Sequence, residues 1–518
     1  MTTGIHHVTA ITRNVQKNVD FYAGFLGLKL VKQTGGYEDA EQLHLFYGDA
    51  LGSPGSITTF LVWQDGAPGR VGLGALSEVA FTVPKNSLGD WLTRAMTAGI
   101  QVSGPTRELG ETVLRLRDPD GIVVKLVGGD ALATAPLADP VAPTRIHGVT
   151  LLSEDAQATA DFLVRFGYSE ALRDGPFIRL RSDQDVVDVR ASAGFVPALP
   201  GTGMFDHVAF RARDVDALRQ MRLDLRTQDG VTQNGVTNVH DRKYFLSLYV
   251  REPMGTLIEY ATDAPGFTAD EDAAHLGETL MIPATDAARA ADLRVTLPQF
   301  ARPGEERRPM RDLPFVHRFH TPDTPDGSTI VLLHGTGGNE ADLMPLAARL
   351  NPRATLLGVR GRATEEGITR WFRRFDAVTY DQDDIRAEAR AFVAFVEGAT
   401  RSYGLDPKTT TFLGYSNGAN LLGAILRLHP GVVQRAILLR GIEALEDAPT
   451  ADLTDSDVLL LTGAQDPFGR MVPQLEASLT SGGATLNAQI IDAGHDLSPE
   501  DVRIAAKWLA KIPQGEPR

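Results

Sequence analysis

The chain has 518 residues, more than one hydrophobic core can organise, so about two to four domains are expected. At 43% hydrophobic and 23% charged it has the make-up of a folded globular protein, and a formal charge of −15 argues against nucleic acid or an anionic membrane as partner. The absence of cysteine excludes disulfides, thiolate metal sites and a cysteine nucleophile, so any metal must rest on histidine and carboxylate.

The first expected strand is GIHHVTAI (Gly4–Ile11), with adjacent histidines between Ile5 and Val8. Alternation along a strand predicts that His6 and His7 face opposite ways, leaving at most one of them as a metal ligand. A strand this early leaves no signal peptide, and no apolar run approaches the ~18–20 residues of a membrane span. A cytoplasmic protein is expected.

The opening pattern recurs along the first half. IHHV (5–8), LSEV (76–79), IHGV (146–149) and FDHV (205–208) share an apolar–x–x–Val form. Helical patterns follow, as in NVDFYAGFLGL (18–28) and TADFLVRFGY (159–168), where Asp-Phe begins 13 residues after the third motif position. DPDGIVVKL (118–126) and EPMGTLIEY (252–260) each read as a tight turn feeding a strand. These repeats predict four βαβββ modules, about 1–65, 70–130, 143–195 and 203–262.

The third motif positions are His7, Glu78, Gly148 and His207. Near the module ends stand Thr59, Lys125 and Glu259; the third module does not align there. Both His7 to Thr59 and His207 to Glu259 span 52 residues, which fixes the register. One metal-competent set results: His7, His207 and Glu259. Two imidazoles and a carboxylate on one face form the triad that holds Fe(II) with positions left open. Lys125 and Gly148 predict no metal in the middle modules. No role is expected for His44, His240 or His275.

With these residues in place, the region resembles the vicinal oxygen chelate superfamily, which includes glyoxalases and extradiol ring-cleaving dioxygenases. It is most similar to four-module hydroquinone-cleaving dioxygenases, whose ligands come from the first and last modules. The run DRKYFLSLYVREPMGTLIEYATDAPGF (241–267) is the most specific part. The resemblance implies Fe(II), with Mn(II) as a substitute, and places Arg242, Tyr249, His6 and Thr9 beside it. Relatives tend to carry His-His at 206–207, whereas this chain has Asp206. A para-hydroquinone offers a metal one oxygen where a catechol offers two, so protein groups must bind and deprotonate the far hydroxyl. Tyr249 fits a proton acceptor or donor and Arg242 a fixed positive partner, against the plainer reading of Arg242 as a surface ion pair with Asp241 or Glu252.

A transitional segment follows, with an extension PGFTADEDAAHLGETLMIP and a helical stretch ending near Leu297. FARPGEERRPMRDLP (300–314) has the composition of an exposed linker. The expected division is 1–299 for the first domain, 300–312 for the linker and 313–518 for the second domain.

The second domain alternates short apolar strands (STIVLLHG, ATLLGVRG, TTTFLGYS, RAILLRG, DVLLLTG, AQIIDAG) with helices, which predicts a mostly parallel sheet. GYSNG (414–418) fits G-x-S-x-G between a strand and a helix. Asp466 and His495 each follow a later strand, giving the order Ser416, Asp466, His495 of an α/β-hydrolase. Asp492 and Asp496 are the alternative acids, without a strand-end turn. LLHGTGGNE (332–340) supplies the second oxyanion donor, so the hole is expected at the backbone N–H groups of Thr336 and Asn417.

This half resembles small carboxylesterases of the phospholipase/carboxylesterase family, and RWF (370–372) matches a loop lining the acyl pocket there. Arg360, Arg362, Arg370, Arg373 and Arg374 read more readily as a solvated basic face than as an anion site. The fold class is therefore α+β and α/β, a four-module vicinal oxygen chelate fold followed by a compact α/β-hydrolase domain. The leading function is a bifunctional enzyme acting on small aromatic and ester molecules with dioxygen, without nucleic acid or membrane, and with room for a homo-oligomer. The alternatives are a glyoxalase-type isomerase or a metal-free binding module fused to an esterase.

Overall fold

The computed structural model describes residues 3–130, 135–226, 235–307, 313–447 and 450–511. Its contacts fall into two compact units, one of residues 1–288 and 299–307 and the other of 289–298 and 308–518. The expected linker does not behave as a single spacer. Its 300–307 part packs with the first unit, and 308–312 lie outside the described residues.

The first unit repeats one motif four times. Module one holds β1 (Ile5–Thr12), α1 (Val15–Val19), β2 (Lys29–Gly35), β3 (Leu43–Gly48) and β4 (Ile57–Val62). Module two holds β5 (Ala75–Pro84), α2 (Leu88–Thr97), β6 (Val102–Glu108), β7 (Glu111–Arg117) and β8 (Val123–Gly129). Module three holds β9 (Arg145–Ser153), α3 (Ala156–Leu163), β10 (Ser169–Asp174), β11 (Phe177–Arg181) and β12 (Val186–Ala191). Module four holds β13 (Phe205–Ala212), α4 (Val215–Arg226), β14 (His240–Asp241), β15 (Phe245–Arg251) and β16 (Leu257–Pro265). Asn14 and Asp155 cap α1 and α3, each side chain accepting a backbone N–H of the first turn.

Within each module the opening strand runs parallel to the closing one, β1 with β4, β5 with β8, β9 with β12 and β13 with β16. Modules then join by their opening strands. β1 pairs antiparallel with β13, and β5 with β9, so modules one and four share a nine-stranded sheet and modules two and three an eight-stranded one. β1 sits mid-sheet and is buried along its whole length, which is why its polar residues lie inside the protein. The extension after β16 returns to module one. Lys32 pairs there with Asp270 at 2.8 Å and with Glu271, and β17 (Leu280–Met281) adds to β2.

In the second unit α5 (Ala290–Thr296) packs on α6 (Met344–Leu350), and Asp292 accepts both bonds from Arg349 at 2.6 Å. The sheet holds β18 (His317–His320), β19 (Thr329–Leu333), β20 (Thr355–Val359), β23 (Thr410–Tyr415), β24 (Arg435–Leu439), β25 (Asp457–Gly463) and β26 (Thr485–Ile491). Their order is β18-β20-β19-β23-β24-β25-β26, parallel except for β18. A hairpin of β21 (Ala363–Glu365) and β22 (Ile368–Arg370) stands apart from it. Helices α7 (Gln382–Tyr403), α8 (Asn417–Leu428), α9 (Val472–Ser481) and α10 (Pro499–Leu509) cover the sheet. α7 starts at an Asp381 cap and stops at Gly404 in the left-handed region. α8 is buried from Asn417 to Leu426, as expected of a helix that is apolar almost all round. Among the described residues no helix is long and apolar enough to cross a membrane.

Candidate active sites

Two irregularities in the β1–β13 pairing build the first site. The register slips between Ile5 and His7, where β1 holds the extra residue His6, and between Thr9 and Ala10, where β13 holds the extra residue Asp206. The β5–β9 pairing slips at the matching places, Ser77 and His147. Each bulge breaks strand alternation one residue before the third motif position. His6 therefore does not face away from His7; their Nδ1 atoms lie 2.8 Å apart, and both rings pack on Phe245. Asp206 Oδ2 likewise meets His207 Nδ1 at 2.7 Å.

Across the centre, Glu259 Oε2 stands 2.9 Å from both His7 Nε2 and His207 Nε2, and the two nitrogens are 3.3 Å apart. Two ligand atoms about 2.1 Å from a metal and at right angles would be about 3.0 Å apart. Glu259 is fully buried, and both its oxygens lack a hydrogen bond of ordinary geometry despite those short contacts. A buried carboxylate facing two imidazole nitrogens at this spacing fits a divalent cation. These three form the group with metal-ligand spacing among the described residues.

The charges are consistent with that reading. Burial works against a charged His207, but the Asp206 and Glu259 carboxylates outweigh it and raise its pKa to about 9. Burial lowers His7 in spite of Glu259, while Glu259, although buried, is held well below the usual carboxylate range by His7 and His207. A cation at this place would compete with a proton for His207. Tyr249 is the cross-strand neighbour of Glu259, and burial together with Glu259 holds its hydroxyl well above the ordinary range. The Arg242 guanidinium lies 5.3 Å from the Tyr249 ring centre and donates to Glu38 at 2.7 Å, not to Asp241 or Glu252.

The matching place between modules two and three is filled by protein charge. Glu78 takes Lys125 at 3.2 Å and Arg115 at 2.7 Å, while Arg179 bridges Asp188 and Glu111, each at 2.7 Å. A Cβ at Gly148 would lie 2.4 Å from the Val186 carbonyl oxygen, so the closing strand leaves no room for a ligand side chain there. Asp188 occupies the register of Glu259 and Lys125 in the module that sequence could not align.

In the second unit, Ser416 follows β23 with φ +50° and ψ −113°, a strained turn that lifts its hydroxyl off the sheet. The flanking glycines are needed for contact. A Cβ at Gly414 would meet Ala419 N at 2.6 Å, and one at Gly418 would meet the Leu333 carbonyl oxygen at 2.2 Å. His495 Nε2 lies 2.9 Å from Ser416 Oγ, and His495 Nδ1 lies 3.0 Å from Asp466 Oδ2. Asp492 instead accepts from Gln465. Thr336, Asn417, Ser416 and His495 line a cavity of about 250 Å³.

Comparison with known proteins follows this division. Residues 4–126 match the Glyoxalase/Bleomycin resistance protein/Dioxygenase superfamily. "Putative ring-cleaving dioxygenase MhqO" of Bacillus subtilis is 37% identical over 291 residues, which is 54% of this chain and 91% of MhqO. The chain belongs to this superfamily. "Chlorohydroquinone/hydroquinone 1,2-dioxygenase" of Sphingobium indicum is 30% identical over 54% of this chain and 91% of its own length. "Putative hydrolase MhqD" of Bacillus subtilis is 31% identical over 35% of this chain and 92% of its own length. The chain is thus a fusion of a glyoxalase/dioxygenase superfamily unit with an α/β-hydrolase.

Some site residues escaped sequence reading. His44, assigned no role, bonds Thr59 Oγ1 at 2.8 Å; Thr59 donates to Thr9 at 3.0 Å, and Thr9 Oγ1 lies 2.9 Å from His207 Nε2. Burial beside His7 and His207 lowers the His44 pKa to about 3, so it is neutral. A signal existed, because His44 is the polar residue of an otherwise apolar strand, LHLFYG. Arg440 was also missed. Buried, it donates to the carbonyls of Gly494 and Asp496, at 2.9 and 3.0 Å, on either side of His495. A bidentate pair with Asp501 at 2.8 and 2.9 Å anchors it. Arg440→Lys keeps the charge and loses the fork, so kcat for a small ester should fall by up to about 100-fold with little change in KM. An unchanged kcat in a folded variant would remove Arg440 from the positioning of His495.

Proposed function

We propose that this chain is a bifunctional enzyme, an Fe(II)-dependent ring-cleaving dioxygenase for hydroquinone-type aromatics joined to a serine carboxylesterase. The observation that carries the first half is the buried convergence of His7, His207 and Glu259 between modules one and four. A superfamily relative named for chlorohydroquinone and hydroquinone supports the substrate class. Fe(II), or Mn(II) in its place, would supply Lewis acidity toward one phenolic oxygen and an electron path to dioxygen. His6 and Asp206 orient the two imidazoles through Nδ1, the second-layer support that metal-binding histidines need. Tyr249 keeps its proton on Oη at neutral pH and serves as donor toward the substrate, with Arg242 over its ring as the fixed positive charge. Thr59 stands where a glyoxalase-type site would need another carboxylate, and its hydroxyl is engaged with Thr9.

The second half is carried by the Ser416–His495–Asp466 line. Ser416 Oγ attacks an ester carbonyl as His495 Nε2 takes its proton, with Asp466 holding the Nδ1 proton and the Thr336 and Asn417 N–H groups receiving the oxyanion. The alcohol leaves with the proton held by His495, and water then releases the acid.

Oxygen uptake after anaerobic Fe(II) loading tests the dioxygenase reading. Uptake should be at least about tenfold faster with hydroquinones than with catechols, in line with the usual worth of one positioned donor. Isomerisation of methylglyoxal–glutathione hemithioacetal without oxygen uptake would replace this reading with a glyoxalase.

A further inference from the structure

The five arginines between 360 and 374 do not form one basic face. Arg360 pairs with Glu340 at 2.6 Å, Arg362 with Glu388 at 2.8 Å, Arg373 with Asp381 at 2.9 Å and Arg374 with Glu365 at 2.9 Å. Arg370 is different. Like Arg374 it lines the cavity that holds Ser416 and His495, but of the five it is the buried one, 3% exposed, and its Nη1 has no hydrogen-bond partner. The nearest carboxylate, Glu365, is 3.6 Å away and already engaged by Arg374. Arg370 Nε makes only a long contact, 3.4 Å, with the Phe372 carbonyl.

A buried guanidinium left short of partners is costly, and the fold holds it there firmly. Gly337 N donates to the Thr369 carbonyl at 2.8 Å, and Trp371 N donates to Asn417 Oδ1 at 2.8 Å. Trp371 Nε1 donates to the His334 carbonyl at 2.9 Å. The residues on both sides of Arg370 are thus tied to the oxyanion loop and to the residue after the nucleophile. Arg374, Tyr380, Asn420, Arg440 and Phe468 also line the cavity, and among the described residues no carboxylate does.

We infer that Arg370 receives a carboxylate on the acyl chain of the hydrolase substrate, so that the second unit acts on monoesters of small dicarboxylic acids. The inference rests on the serine-hydrolase reading and deepens it. Planar bidentate recognition of a carboxylate is what a fixed guanidinium does well. The chemistry of the first unit would supply such a molecule. Cleaving the bond between a phenolic carbon and an alkoxy-bearing neighbour places one atom of dioxygen on each carbon. The phenolic carbon becomes a carboxylic acid and its neighbour an ester on the same chain. Hydrolysis then adds one water, releasing the alcohol and leaving a second carboxylate.

The test compares 4-nitrophenyl hydrogen succinate with neutral 4-nitrophenyl pentanoate on the full chain. Wild type should favour the hemisuccinate in kcat/KM by about tenfold or more, and Arg370→Gln should cut that ratio by about 10- to 100-fold. Arg370→Lys should restore part of it. Succinate should also inhibit wild type at least about tenfold better than succinamide, a readout that survives if the variants fail to fold. Preference for the pentanoate, an unchanged ratio in a folded Arg370→Gln, or equal inhibition by succinate and succinamide would overturn the proposal. If neither ester turns over and a fluorophosphonate does not label Ser416, the hydrolase reading itself fails.

Discussion

Replacing Ser416 with alanine should lower kcat for small activated esters by about 10⁴- to 10⁶-fold, because nucleophile and base act as one unit. The geometry leaves no substitute: Ser416 Oγ is the hydroxyl bonded to His495 Nε2, and Asp466 engages the other ring nitrogen. Any residual rate would come from binding and from the oxyanion donors proposed at Thr336 and Asn417. A 4-nitrophenyl ester assay measures it, and a loss of less than tenfold would sink the triad. The same variant should take up oxygen with hydroquinone as wild type does, since neither site shares a residue with the other. If the two reactions are consecutive, mass spectrometry should show the ring-opened ester accumulating in the Ser416 variant from an alkoxy-substituted hydroquinone. Identical products from both proteins would mean that the two activities are only carried together.

Glu259→Ala should remove bound Fe(II) or Mn(II) almost completely and abolish oxygen uptake. Losing one ligand of three goes beyond the about 10- to 100-fold cost of disturbing a supporting residue. Glu259 is also the one carboxylate among the three, so its loss leaves two buried imidazoles facing a dication without compensating charge. Lys125→Ala is the matched control. Lys125 holds the corresponding place in the other sheet, where it pairs with Glu78 at 3.2 Å and Glu108 at 3.5 Å. Its loss should lower thermal stability by leaving both acids to Arg115 alone, with metal content kept. Elemental analysis and thermal melts separate the two, and equal metal in wild type and Glu259→Ala would end the assignment of this site.

Much of this was readable from the chain alone. The spacing of 52 residues from His7 to Thr59 and from His207 to Glu259 marks one shared register, since each closing-strand residue pairs two positions past its histidine, Thr59 with Thr9 and Glu259 with Ala209. G-x-S-x-G, with Asp466 and His495 after later strands, is legible because a nucleophile turn and strand-end placement are local constraints on sequence. The second-unit strands were likewise written in short apolar runs, which need no partner to be recognised.

Other features had no local signature. His6 meets His7, and Asp206 meets His207, only because β1 and β13 slip against each other across 200 residues of chain. Strand alternation is a rule for a strand by itself, and a bulge is a property of a pair. For the same reason His44 could not be placed near His207 from its own neighbours, since the link runs through Thr59 and Thr9 on two other strands. Arg370 and Arg440 looked like any other arginines in a charged sequence. Burial separates them, and burial is decided by what packs around a side chain: Asp501 satisfies Arg440, whereas Arg370 Nη1 is left without a hydrogen bond, 3.6 Å from Glu365. Sequence by itself determined the modules, the candidate ligands and the hydrolytic line. Tertiary structure alone decided which neighbours orient them and which buried charge is left short of hydrogen bonds, because register and desolvation arise only when distant segments meet.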